Sequence, residues 1–378
     1  MTDEVLDERQ DHLIKELPGE GIVEPLVGPV RHVVAGAGLT RPPRLSRHSI
    51  TLEDGHPVGI TMAGQGVPLV VIHGFTAEGF LYAQTLSRLC AMGFRVVAID
   101  IAGHGGTAGL PEDGANIGAY SALVGRVLDH LGIRHALLAG HSMGGRLVTQ
   151  LAANQPERVL GVVLIDAIVG DTWDRMVYLF RVWPPLLGAV GMALLADSVM
   201  VPPLTRDPRQ AVKFLRLFGP TLVGHVARPW RLLGPMASIL RTRSSRYALD
   251  AAAQHEVPFF VLHGDRDIAV PHRTSEEAAE RVSGELITVE GAGHSWLLSD
   301  PETLPAIMAE LLEGSLGEAL TAAFVALGIG ETPDLPAIQG ACYDPDASVF
   351  DLAVPQDAEY SDRPVARSAP AYTWRRTA

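Results

Sequence analysis

The chain has 378 residues, 47 % of them hydrophobic, which excludes a mainly disordered protein and allows a large buried core. Its net charge of −13 argues against nucleic acid as a partner, because no basic excess covers the molecule. Two cysteines, Cys90 and Cys342, cannot supply a disulfide framework and read as free thiols of a reducing, cytoplasmic compartment.

Residues 1–44 read as an extension, an acidic helix over Asp3 to Leu17 followed by a Pro/Arg linker ending at Arg41-Pro42-Pro43-Arg44. The first twenty residues hold no apolar stretch of the secretory kind. From Ser46 onward short apolar segments alternate with helical ones. Strands are expected at 46–53, 57–63, 68–73, 95–100, 136–141, 159–166, 257–263 and 285–290, and helices at 79–92, 117–131, 143–154, 273–282 and 302–314. Segments such as Leu69-Val70-Val71-Ile72 are continuously apolar, as in parallel strands covered by helices on both faces. The rhythm predicts a doubly wound α/β fold with a mostly parallel eight-stranded sheet, its core formed by 45–166 and 254–316.

Between these two parts, 167–253 lack any strand rhythm and read as a helical cap inserted after the sixth strand. Eleven Arg and Lys face five Asp over 171–250, so the insert is basic in an acidic protein. No stretch reaches the ~18 uninterrupted apolar residues of a membrane span. The nearest, Val182 to Ala196, carries Pro184 and Pro185. Residues 317–378 are expected to give one helix, over Glu318 to Leu327, and then a largely disordered Pro/Asp/Ala-rich tail.

The chemistry centres on Gly140-His141-Ser142-Met143-Gly144-Gly145, which joins an expected strand to an expected helix. This G-x-S-x-G elbow presents a serine hydroxyl at a turn too tight for side chains on its neighbours. A serine needs a base and the base an orienting acid. Asp267 follows the strand Phe259 to His263, and His294 sits between small residues in Gly291-Ala292-Gly293-His294-Ser295. Asp267 and His294 are the expected acid and base, with Asp265 and Asp166 as other candidates for the acid. Ile72-His73-Gly74-Phe75 leaves its strand at a glycine, so the N–H groups of Phe75 and Met143 are the expected oxyanion donors. Asp100, His104, His73 and His263 read as loop-holding residues, and His141 as a packing or hydrogen-bonding residue.

His73-Gly74-Phe75, Asp100-Ile101-Ala102-Gly103-His104-Gly105, the Ser142 elbow, the Asp267 loop and the Gly293-His294 loop together resemble the α/β-hydrolase superfamily in its capped branch of esterases, lipases, C–C hydrolases and cofactor-free haloperoxidases. The resemblance covers about 46–315. It implies a serine esterase or lipase-like enzyme working through an acyl-enzyme, without cofactor or metal. The fourteen histidines include no H-E-x-x-H, and there is no Cys/His cluster. A serine nucleophile disfavours the relatives that attack with Asp, and C–C hydrolases often carry Asn where this chain has His141. Thioesterase, lactonase, C–C hydrolase, lyase, perhydrolase and non-catalytic binding readings stay open.

The cap is apolar enough to suggest a hydrophobic or amphipathic small-molecule ester, with His73, Gly74, Trp183, Trp230 and Trp296 as pocket candidates. Its arginines suggest either a solvated face or attraction to an anionic amphiphile or lipid surface.

Overall fold

The computed structural model describes residues 45–110, 116–199, 208–352 and 369–377. The expected N-terminal helix, the rest of 1–44, and 353–368 of the expected tail lie outside them.

Among the described residues nine strands form one sheet: β1 (Ser46–Thr51), β2 (Pro57–Ala63), β3 (Val67–Ile72), β4 (Phe94–Ile99), β5 (Ala136–His141), β6 (Val159–Ile165), β7 (Phe259–Gly264), β8 (Glu285–Val289) and β9 (Trp374–Thr377). Their order is β1-β2-β4-β3-β5-β6-β7-β8-β9. The six strands from β4 to β8 run parallel, and β1, β2 and β9 are antiparallel to their neighbours. β3, β5 and β7 are buried along their whole length, whereas β1 alternates toward solvent, as an edge should. Strand order reverses at β3, which pairs with β4 on one side and β5 on the other. At such a switch point the loops leaving β3 and β5 diverge and open a crevice at their C-terminal ends. That crevice holds the Gly74 loop and the Ser142 elbow.

The core helices are α1 (Ala83–Ala91), α2 (Ile117–Leu131) and α3 (Met143–Asn154). α2 starts at Asn116, whose side chain accepts from the Ala119 N–H, and stops at Gly132 in the left-handed conformation. After β6 the chain leaves the sheet through α4 (Asp171–Val182), α5 (Pro184–Val199), α6 (Pro208–Ala227) and α7 (Leu233–Arg241). α8 (Arg246–Gln254) fell within the insert expected at 167–253, yet it packs against α3 and α9 (Arg273–Val282), so it belongs to the layer of core helices. The remaining helices are α10 (Trp296–Ser299), α11 (Thr303–Glu313), α12 (Ser315–Ala326) and α13 (Leu335–Cys342).

The C-terminal part departs from the expected disordered tail and from the eight-stranded sheet. α13 buries Ile338 and Cys342, and Tyr343 is fully buried with its hydroxyl donating to the Gly66 carbonyl at 2.8 Å. β9 then adds to β8, its Trp374 indole N–H donating to Glu310 at 2.7 Å, with Arg376 paired to Glu285 and Glu310. Composition pointed the other way because these anchors are isolated apolar residues in a polar background. Only their tertiary partners make them structured. Among the described residues no helix is long and apolar enough to cross a membrane.

Candidate active site

Ser142 joins β5 to α3 with φ 53° and ψ −115°, a left-handed conformation costly for a residue with a Cβ. The surroundings enforce it. A Cβ on Gly144 would lie 2.1 Å from the Ile72 carbonyl oxygen, and one on Gly140 would lie 2.5 Å from the Gly144 backbone. The elbow is therefore pressed against the end of β3, and the Ser142 N–H and carbonyl bond to Ile165 and Ile168 at 2.9 and 3.2 Å. Larger residues at 140 or 144 would push it away.

His294 lies in the loop between β8 and α10. Its Nδ1–H donates to Asp267 Oδ2 at 2.6 Å, while Asp267 Oδ1 accepts from the N–H groups of Ala269 and Val270 at 2.8 Å each. All three side chains, Ser142, Asp267 and His294, are buried. Burial opposes charge on His294, but the charge and hydrogen bond of Asp267, with Asp166 and Asp197 nearby, outweigh it and raise the imidazole to about 9. For Asp267, burial pushes up but the His294 partnership and backbone donors prevail, so its carboxyl sits below the ordinary value. The hydroxyl of Ser142 is not hydrogen-bonded to His294 here. The two are linked through His141, whose ring lies 4.9 Å from that of His294 and whose Nε2–H donates to the His294 carbonyl at 3.0 Å.

The other acid candidates are occupied elsewhere. Asp166 is wholly buried and accepts from the Gly264 N–H at 2.8 Å and the Trp296 indole at 2.7 Å; burial drives its carboxyl well above the ordinary range. Asp265 braces the Gly291 N–H at 2.7 Å. Asp166, His263 and Asp267 bring ligand-type atoms within 4.8 Å of one another. His263, however, receives the Ser275 hydroxyl on Nδ1 and donates from Nε2 to the Val270 carbonyl, so both ring nitrogens are engaged within the protein.

The loop after β3 lies directly on the elbow: a Cβ on Gly74 would lie 3.2 Å from Ser142 Cβ and 2.9 Å from His141 Nδ1. Among the described residues the N–H groups of Phe75 and Met143 have no acceptor, so both remain available to a ligand, and Met143 opens α3 where the helix end favours negative charge. Tyr82, which the sequence did not single out, accepts the Gly74 N–H at 3.4 Å and donates to His141 Nδ1 at 3.0 Å. Asp197, in α5, accepts the Ser295 N–H at 2.7 Å and sits where a Cβ on Gly293 would be, 1.9 Å from its Oδ1. It was legible only as the one acidic residue between Asp174 and Asp207.

Of the pocket candidates, Gly74 abuts the elbow, as does the backbone carbonyl of His73, which a Cβ on Gly144 would approach to 2.6 Å. His73 is fully buried and commits both nitrogens to backbone, accepting from Ile101 and donating to Gly74; burial lowers it to about 4. Trp296 is fully buried and its indole is spent on Asp166, so it supports the site from behind. Trp183 and Trp230 are exposed, in the helical segment between β6 and β7. Trp296 departs from the pocket expectation because hydrophobicity marks burial or interface, but not which. Asp100 holds its loop as expected, accepting from the Gly79 and Gly106 N–H groups at 2.8 and 2.9 Å. His104 accepts from the Thr76 N–H at 3.2 Å.

The sequence pattern of the alpha/beta hydrolase fold family matches residues 67–301. A Mycobacterium phage D29 protein, named provisionally as a non-heme haloperoxidase, is 32 % identical over 265 residues, covering 68 % of this chain and 92 % of its own. A pimeloyl-acyl-carrier-protein methyl ester esterase of Neisseria meningitidis serogroup B is 28 % identical, covering 65 % of this chain and 93 % of its own. Among solved structures, an esterase from Rhodococcus sp. ECU1013 superimposes with a TM-score of 0.56 at 24 % identity, covering 71 % of this chain and 99 % of that one. A bacterial membrane phospholipase A gives 0.59 at 23 %, covering 83 % and 99 %. The sheet with its reversal at β3, the strained serine elbow and the family match agree: this chain belongs to the α/β-hydrolase family.

Proposed function

We propose that the protein is a serine hydrolase cleaving a carboxylic ester of a hydrophobic or amphipathic small molecule. Ser142 is the nucleophile, His294 the base, Asp267 the orienting acid, and the N–H groups of Phe75 and Met143 the oxyanion donors. The observation that carries the reading is the Asp267–His294 hydrogen bond of 2.6 Å, buried beside a serine in a strained elbow. With Nδ1–H held by the carboxylate, Nε2 is the acceptor that can take the serine proton. Attack of Oγ on the ester carbonyl then gives a tetrahedral oxyanion facing the two N–H groups. The imidazolium returns its proton to the departing alkoxide, leaving acyl-Ser142, and water repeats the sequence to release the acid. The ester-esterase name of the Neisseria relative supports this class of substrate.

The test is kcat/KM over p-nitrophenyl esters of rising chain length. The proposal expects turnover that rises from acetate toward octanoate and vanishes in Ser142→Ala. A preference for acetate would remove the lipophilic part, and no turnover of any ester would remove the esterase. A perhydrolase reading is favoured by one observation, the haloperoxidase name of the phage relative. It predicts peroxide-dependent halogenation that exceeds hydrolysis.

A further inference from the structure

α6 packs Phe218 against the core on one side and yet presents a second apolar stripe outward. At 100° per residue, Val212, Leu215, Gly219, Val223 and Val226 fall within an arc of about 80°. The four apolar side chains are between 49 and 74 % exposed. The opposite side carries the polar anchors. Buried Thr221 donates to Glu78, and His225 Nε2–H donates to the Thr76 carbonyl at 3.0 Å. Water would favour a polar outer side. The exposure is concentrated, too: of fifteen large exposed hydrophobics among the described residues, twelve lie between Tyr178 and Tyr247, including Trp183 and Trp230.

Charge selects the occupant. The region 171–250 has six more Arg and Lys than Asp, in a chain of net charge −13. Arg216 flanks the stripe and Arg228 follows the helix; both are exposed, and among the described residues neither makes an ion pair. A second copy docking cap to cap would bring like charges together. Valine, leucine and tryptophan interleaved with arginine fit the boundary between headgroups and acyl chains of an anionic bilayer.

We propose that the outer face of α6, with Trp230 and the adjoining arginines, docks the protein on an anionic lipid surface. The inner face of α6 is bonded to Thr76 and Glu78, immediately after the Gly74-Phe75 loop. An amphiphile leaving the surface therefore needs to travel only about one helix diameter, ~10 Å, to reach that loop. This consequence for the substrate rests on the hydrolase reading; the docking itself does not.

The experiment is co-sedimentation of the full-length protein with vesicles of phosphatidylcholine, with and without phosphatidylglycerol, at low and high salt. Binding is expected only with phosphatidylglycerol, released by high salt. Leu215→Asp with Val223→Asp, and separately Arg216→Glu with Arg228→Glu, are each expected to weaken binding at least about tenfold with the thermal midpoint unchanged. Equal binding to both vesicles, no binding to either, or binding that survives both pairs of substitutions overturns the proposal. So does a wild-type dimer that the Asp pair dissociates, since the stripe would then be a subunit interface. Vesicle binding by a protein whose Ser142 resists a fluorophosphonate would leave the docking standing and remove the hydrolase.

Discussion

His141, the residue before the elbow serine, donates from Nε2 to the carbonyl of His294 at 3.0 Å. Its Nδ1 in turn accepts the Tyr82 hydroxyl, which accepts the N–H of Gly74. One hydrogen-bonded line thus runs from the proposed oxyanion loop, through the side chain beside the proposed nucleophile, to the backbone of the proposed base. Burial above all, and the nearby His294 charge, lower His141 to about 3, so the ring stays neutral and keeps this directionality at working pH. Tyr82→Phe is expected to lower kcat about tenfold, the worth of one buried hydrogen bond, with KM little changed. Equal loss in kcat and in thermal stability would mean that Tyr82 acts by packing alone.

Asp267→Asn and Asp166→Asn separate the two carboxylates beside the imidazole. Asp267→Asn removes the acceptor that fixes the Nδ1–H tautomer, and kcat should fall by about 10⁴. Asp166→Asn should leave kcat within about tenfold but lower the thermal midpoint, because an amide cannot accept from both the Gly264 N–H and the Trp296 indole with its nitrogen side. The opposite ranking would make Asp166 the acid.

The pH dependence of kcat/KM reports His294. With the imidazole raised to about 9, the neutral form needed as base increases through the alkaline range, and activity should rise with pH above neutrality. Any residual rate of Asp267→Asn should reach its plateau at lower pH, since burial without the carboxylate lowers the imidazole. A profile flat from neutral pH upward in the wild type would contradict the assignment.

Stability should fall in mild acid. Burial lowers His73 and His263 to about 4 and His141 to about 3, and holds His104 well below its ordinary value. Each binds its proton more weakly folded than unfolded, so stability is full above ~6.5 and is lost as pH falls toward those values. His294 acts in the other sense: its raised value contributes stability below ~6.5 that disappears as pH climbs through about 9. His294 is constant below ~6.5, and the raised carboxyls of buried Asp100 and Asp166 offset part of the loss, so the four histidines predict a thermal midpoint that drops between pH 6.5 and 4. An unchanged midpoint across that window would contradict their burial as neutral rings.

The C-terminal part should be required for stability. Tyr343→Ala is expected to cost about 3–5 kcal/mol, in line with other buried aromatic truncations. Tyr343→Phe, which loses only the bond to Gly66, should cost about 1 kcal/mol. Denaturant unfolding measures both.

The sequence made the core legible because its signals are local. The helices at 117–131, 143–154 and 273–282 form with those boundaries, since period and flanking turns coincide there. Ser142, Asp267 and His294 each stand at a strand end beside glycine or a turn, where side chains reach the crevice. What stayed hidden depends on tertiary contact. Tyr82 and Asp197 act through partners 59 and 98 positions away, and Tyr343 through one 277 away. Trp296 looked like a pocket wall because an indole in an active-site loop can face either way, and only the buried Asp166 decides which.

Fluorophosphonate labelling followed by peptide mass analysis tests the central claim most directly. A single adduct on Ser142, absent in Ser142→Ala and strongly slowed in His294→Ala, is the predicted result. A wild-type protein that stays unlabelled, or carries the adduct on another serine, would contradict it.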